Sequence, residues 1–237
     1  MATHSEKPTW VKRQTRVTRL THWGWAVSVI FLLGSGLQIF NAHPTLYLGD
    51  QSGFGFDNAV LVLGEEGRAF PAWATIPSGI DLATGRVVHF FFAWLLVACL
   101  LIWLLGALLS GHLLRDLILK HGDWRELAQD LKEHTQLRFR HRRRYGPLQK
   151  LSYALVLFGL FPLIIATGLA MSPGMNAALP WLTEVLGGRQ TARTLHFLAA
   201  AGLVMFFVLH IAMVVLAGPL NEMRSMITGW YRVDEGE

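Results

Sequence analysis

Four stretches of the chain run without a charged residue for about the 20 positions that a helix needs to cross hydrocarbon. They are Trp23 to Phe40, Val87 to Leu109, Leu151 to Met171 and Thr194 to Ala217. Pro162, inside the third stretch, predicts a kink because it removes a helix N–H and its ring crowds the preceding turn. Twenty-two mostly polar residues precede the first stretch and no small-residue cleavage site follows it. It is therefore expected to stay as an anchor and not to be removed as a signal peptide. The connections are residues 41–86, 110–150 and 172–193. Within the middle one, Asp123 to His134 reads as a short amphipathic helix starting at an Asp N-cap. No internal repeat and no low-complexity segment is evident. The pattern predicts an all-α integral membrane protein, a single domain over 1–237 forming a four-helix transmembrane bundle.

Composition agrees. Of 237 residues, 52% are hydrophobic and only 16% charged, against about 25% charged in soluble domains. The single cysteine, Cys99, excludes a disulfide framework, a Cys-ligated iron–sulfur cluster and a Cys-x-x-Cys-His haem attachment within the chain. The net charge of +5 does not point to nucleic acid, since the basic residues flank apolar spans and form no soluble basic module. Its distribution instead gives orientation. Residues 1–22, the 111–150 segment and the tail hold seventeen Lys and Arg; the other two connections with their edges hold four, Arg68, Arg86, Arg189 and Arg193. Both termini and the middle connection are thus expected in the cytoplasm, and residues 41–86 and 172–193 at the periplasmic face of a bacterial inner membrane. The run from Arg138 through Arg142-Arg143-Arg144 reads as a topology determinant and a contact for anionic lipid. The long 41–86 connection is expected to cover a cofactor edge, to meet a periplasmic partner or simply to cap the bundle.

Ionisable groups at membrane depth are functional candidates. Of ten histidines, four lie in the spans or at their ends: His22, His89, His196 and His210. His196 and His210 are 14 residues apart, a rotation of about 1400°, within about 40° of four full turns, so both leave one face of the fourth span about 21 Å apart. His22 opens the first span and His89 the second. The topology then places two histidines from different helices at each level, His89 with His196 outside and His22 with His210 inside. Such pairs suit two six-coordinate b haems. Structural zinc would want four ligands, and a proton relay would want carboxylates inside the spans, where there are none. His112, about 140° around the second helix from His89, is expected at the interface.

Arg19, Arg86 and Arg193 each stand three residues before one of these histidines, one turn toward the interface, where haem propionates would emerge. Snorkelling at the span ends is the alternative. Gly34, Gly36, Gly168 and Gly202 would admit a flat macrocycle, or serve plain helix packing.

These features resemble the prokaryotic cytochrome b561 family, which includes the membrane cytochrome b subunits of nickel–iron hydrogenase, formate dehydrogenase and thiosulfate reductase. The resemblance rests on R-x-T-H-W at Arg19 to Trp23, S-G-L-Q-I at Ser35 to Ile39 and G-H-L-x-R-D-L at Gly111 to Leu117. It continues through P-L-Q-K-L-x-Y at Pro147 to Tyr153, T-G-L-A-M-S-P at Thr167 to Pro173 and the His196–His210 pair. It implies a four-helix bundle with two haem b groups that passes electrons between the quinone pool and a periplasmic catalytic subunit. That partner would be a molybdopterin enzyme or another oxidoreductase, reached directly or through an electron carrier. Relatives carry an Asn shortly before the Q-K pair, where this chain has Tyr145-Gly146-Pro147. Gln149 and Lys150, at the cytoplasmic entry of the third span, are the expected quinone contacts; anchoring at the interface is the alternative. The rival function on the same fold is an autonomous superoxide:quinone oxidoreductase.

Overall fold

The structure is a computed structural model that describes residues 9–53, 58–65, 69–136 and 145–233. Arg68, Arg138, Arg140 and the Arg142–Arg144 run lie outside these residues. In chain order the elements are β1 (Thr9–Lys12), α1 (Arg16–Asn41), β2 (Thr45–Tyr47), β3 (Ala59–Val62), α2 (Leu82–Leu109), α3 (His121–Thr135) and α4 (Pro147–Ala154). There follow α5 (Phe161–Met171), α6 (Pro173–Ala178), α7 (Pro180–Val185), α8 (Arg189–Ala217), α9 (Pro219–Thr228) and β4 (Trp230–Val233). Four helical segments are long and apolar enough to cross a membrane: Arg16–Asn41, Leu82–Leu109, Pro147–Met171 and Arg189–Ala217. Three of them begin five to seven residues before the apolar stretches seen in the sequence. A helix continues beyond hydrocarbon wherever its backbone hydrogen bonds can, whatever its side chains. The outward positions of the spans, such as Leu101, Leu105, Met205 and Leu209, are exposed apolar side chains, as lipid-facing positions are.

Pro162 does not break the third span. A π-helical stretch, Leu155–Leu160, joins α4 to α5, and Pro162 falls in the first turn of α5. There the missing N–H costs least. The π turn gives the backbone its extra residue immediately before the proline.

The chain divides into two compact units. The larger comprises residues 23–100 and 157–204 and contains stretches of all four spans. Within it Phe31 of α1 stacks on Phe92 of α2 at 4.2 Å, Trp25 meets Phe161, and Phe40 meets Phe197 of α8. The 41–86 connection is folded onto this unit. β2 and β3 form an antiparallel hairpin; Asn41 closes a two-bond clasp with the Phe70 backbone at 2.8 and 2.9 Å. Ile76 lies where a Cβ on Gly34 would be and donates its N–H to the Gly34 carbonyl. That contact is two turns inside the end of α1 and requires glycine there.

The second unit comprises residues 1–22, 101–156 and 205–237. β1 and β4 pair antiparallel, joining the ends of the described chain. The Arg13 guanidinium lies over both the Tyr145 and Tyr231 rings, at 4.6 and 4.4 Å. Burial pushes the Tyr231 hydroxyl pKa up, and that hydroxyl donates to Glu222 at 2.9 Å. α3 starts two residues earlier than the sequence suggested, and Asp123 is in its first turn, not at the cap. The reason is that its carboxylate turns back to accept the Lys120 N–H at 2.7 Å and also holds the Lys150 ammonium at 2.9 and 3.0 Å. Asp130, buried on the same helix, accepts the Leu148 N–H at 3.0 Å and so caps α4 from outside. Partial burial works to raise the Asp123 pKa, but the Lys120 N–H and the Lys150 charge outweigh it and hold the carboxyl below its usual range.

Because the folded pKa of Asp123 is depressed, the Asp123–Lys150 contact contributes its stability above about pH 4, the ordinary carboxylate value, and loses it as pH falls further. Hydrogen exchange in α3 should therefore be slow at pH 7 and accelerate in acid relative to α5. In Lys150→Met the α3 amides should exchange faster at pH 7 and show less additional acceleration in acid.

Candidate functional site

Each unit brings together one of the histidine pairs expected from the spacing. In the larger unit, His89 on α2 and His196 on α8 have ring centroids 6.2 Å apart and planes at 57°. In the other, His22 on α1 and His210 on α8 are 6.3 Å apart, also at 57°. Two metal–nitrogen bonds of about 2.0 Å in line, with about 1.2 Å from each nitrogen to its ring centre, would set axial imidazoles about 6.4 Å apart. Both gaps have the width of one metal ion. Among the described residues no group of three or more His, Cys, Asp or Glu is placed to hold a metal.

The surroundings of the His89–His196 pair repeat. Ser35 on α1 places its Oγ 3.0 Å from His89 Nδ1; Thr167 on α5 places its Oγ1 3.0 Å from His196 Nδ1. The next residue in each case is a glycine, Gly36 or Gly168, whose missing Cβ would lie 3.4 Å from Cε1 of the same imidazole. The unit thus contains a local repeat, Ser/Thr-Gly-Leu paired with Arg-x-x-His, that the sequence reading missed. Its signal was present at Ser35-Gly36-Leu37 and Thr167-Gly168-Leu169, beside Arg86 to His89 and Arg193 to His196. The other two glycines serve packing, Gly34 against Ile76 and Gly202 against Leu160.

The three arginines are placed differently from one another. Arg193 donates to the Thr45 carbonyl at 2.9 Å and to the His43 carbonyl, fastening β2 to the start of α8. Arg19 donates to the Ile227 carbonyl, while its Nε is buried with no hydrogen-bond partner among the described residues. The Arg86 guanidinium lies 5.9 Å from the Phe90 ring. Lys150 is committed to Asp123, as described above, and does not stand free for a ligand. Gln149 donates to the Tyr153 hydroxyl at 2.8 Å. Tyr153 packs on Tyr145 at 5.7 Å, whose hydroxyl accepts from Gln14 at 2.8 Å, and the His112 ring meets Tyr145 at 6.4 Å. Tyr145, Gln14 and Phe206, which stacks on His210 at 5.7 Å, are contacts that the sequence reading did not single out. The Gln14–Tyr145 contact joins residues 131 apart in the chain, whereas Phe206 and His210 are one turn apart on α8.

Four apolar helices carrying paired imidazoles at membrane depth define a multi-pass membrane haem protein. The family model described as prokaryotic cytochrome b561 matches residues 13–229, and the chain belongs to that family, whose members bind haem b. A putative protein-methionine-sulfoxide reductase subunit YedZ1 of Azospira oryzae is 29% identical over 204 residues, which cover 84% of this chain and 87% of that protein. No solved structure matches the chain.

Arg193→Ala should strip the charged donor from two carbonyls and destabilise the protein by about 2 kcal/mol, in line with hydrogen bonds from charged groups. The measurement is thermal unfolding in detergent. Arg193→Lys, which cannot fork between His43 and Thr45, should fall between the parent and the alanine variant.

Proposed function

We propose that the chain is a di-haem b-type cytochrome that carries electrons across the inner membrane between the quinone pool and a periplasmic oxidoreductase. His89 and His196 hold one haem b and His22 and His210 the other, and the whole chain acts as one transmembrane domain. The observation that carries this reading is the metal-sized gap, found twice, at 6.2 and 6.3 Å. When bound, a b haem supplies a one-electron iron couple whose potential its axial ligands and surroundings set. The residues bind and orient: four imidazoles fix the axial positions, Gly36 and Gly168 leave room beside two of them, and the Arg19 Nε is a donor suited to a propionate. Arg86 and Arg193 flank the outer pair as further propionate contacts.

The bias of seventeen Lys and Arg against four supports termini in the cytoplasm and the His89–His196 pair toward the periplasm. The similarity to a protein named as a methionine-sulfoxide reductase subunit supports a catalytic partner of that kind, reduced at the periplasmic side. For quinone, Gln149 with Tyr153, Tyr145 and Gln14 offers a cluster of amide and hydroxyl groups in the same unit as the His22–His210 pair, able to meet a quinone carbonyl. Lys150 supports that site indirectly, by docking α3 on α4.

Haem extraction from the purified full-length protein should return two haem b per chain; one or none overturns the proposal. His89→Ala and His196→Ala should lose the same haem, and His22→Ala and His210→Ala the other, so visible spectra of the four variants should form two classes. A quinone analogue should perturb the His22–His210 haem, and Gln149→Ala should weaken that effect several-fold while both haems remain. An analogue acting only on the other haem would move the site to the periplasmic side.

A further inference from the structure

The hydroxyls of Ser35 and Thr167 decide which nitrogen of their histidine carries the proton. Both side chains are fully buried, at 0% exposure. Ser35 Oγ lies 2.6 Å from the Phe31 carbonyl and 3.0 Å from His89 Nδ1. Thr167 Oγ1 lies 2.7 Å from the Leu163 carbonyl and 3.0 Å from His196 Nδ1. A hydroxyl has one proton to give. A carbonyl can only accept, so at each site the proton goes to the carbonyl one turn back, and an oxygen lone pair faces the imidazole. The ring nitrogen must then be the donor. The carbonyls of Leu32 and Ile164 on the same sides are acceptors too, which leaves Nδ1–H as the tautomer that satisfies both sites. Nε2 of each ring keeps its lone pair.

We infer that Ser35 and Thr167 are positioning residues that lock His89 and His196 as Nδ1–H tautomers with Nε2 left for iron, and that they lower the potential of the haem held there. The inference rests on the reading of His89 and His196 as an axial pair. An imidazole that donates its N–H to a fixed acceptor is pushed toward imidazolate character and becomes a more basic ligand. A more basic ligand favours ferric over ferrous iron. The two hydroxyls act on opposite axial ligands of one metal, from different helices, with matched distances. The adjacent Gly36 and Gly168 leave each ring free of a side chain at Cε1, so the hydroxyl alone sets the ring's hydrogen bonding from that segment's side chains.

Redox titration of the full-length holoprotein, followed in the visible spectrum, tests this with Ser35→Ala, Thr167→Val and the double variant. Each should retain two haems. The His89–His196 haem should shift to higher potential in each single variant and further in the double, with the other haem unmoved. Ser35→Thr and Thr167→Ser, which keep the acceptor, should titrate with the parent. Unchanged potentials in haem-replete Ser35→Ala and Thr167→Val would overturn the inference, as would equal shifts of both haems, which report general loosening. If the valine or alanine variant does not accumulate, Thr167→Ala and Ser35→Cys give the same readout. Failure of the axial assignment itself is distinguishable, because His89→Ala would then keep both haems.

Discussion

An imidazole inside a hydrocarbon layer must have both of its nitrogens satisfied, and much of the larger unit can be derived from that requirement. Water is not there to serve Nδ1, so a helix must bring an acceptor to it. A serine or threonine one helix away supplies one at low cost, because its own proton can return to the carbonyl four residues back in the same helix. Ser35 and Thr167 do this with no further polar group needed. The helix that carries the hydroxyl must then approach the histidine helix closely, and Gly36 and Gly168 allow that approach. Hydroxyl and glycine are therefore two halves of one device, the one meeting the ring nitrogen and the other leaving room beside Cε1.

Outside the spans, the same unit is ordered by the start of α8. Gly188, at φ +100°, has no room for a Cβ, since one would fall 2.5 Å from the Gly49 carbonyl carbon. With the chain that close, the Gly49 carbonyl receives the N–H groups of Gln190 and Thr191 at 2.8 and 3.2 Å. The Asp50 carboxylate accepts from Arg189 at 3.2 Å. One turn on, Thr194 donates to the Tyr47 carbonyl and Arg193 to Thr45 and His43. The orphan donors at the helix N-terminus are thus consumed at Gly49 and Asp50, five to seven residues before His196, and the Arg193 and Thr194 side chains fix β2. The ordering of this connection and the placement of that histidine share one set of bonds.

What could be read from the sequence was whatever depends on periodicity along one helix. The four spans, and the common face of His196 and His210, follow from counting residues at about 100° each. The histidine pairing followed from topology, with His112, the rival at the inner level, set aside because it lies about 140° around its helix from His89. Contacts across the fold were not legible in that way. Ser35 and Thr167 looked like ordinary small polar residues until a second helix placed an imidazole against them. Lys150 was read as a quinone contact, with interface anchoring as the alternative, because its partner, Asp123, lies 27 residues away in a helix whose start was misplaced by two residues. The short repeat of Ser/Thr-Gly-Leu with Arg-x-x-His escaped notice because its halves are separated by unequal lengths of chain, 54 residues in one case and 29 in the other.

Unequal lengths of chain thus converge on one geometry. The 54-residue half includes β2 and β3, while the other half passes through α6 and α7, yet both deliver a hydroxyl to within 3.0 Å of Nδ1. Loop length is energetically cheap to vary; the distance across the pair is not, because a misplacement of half an ångström would weaken a hydrogen bond that no water in the hydrocarbon can replace. The His22–His210 pair reaches the same separation and angle with other surroundings, Phe206 stacked on His210 and Arg19 one turn from His22. The separation and angle of the two pairs are thus matched although different side chains surround them, Ser35 and Thr167 at one and Phe206 at the other.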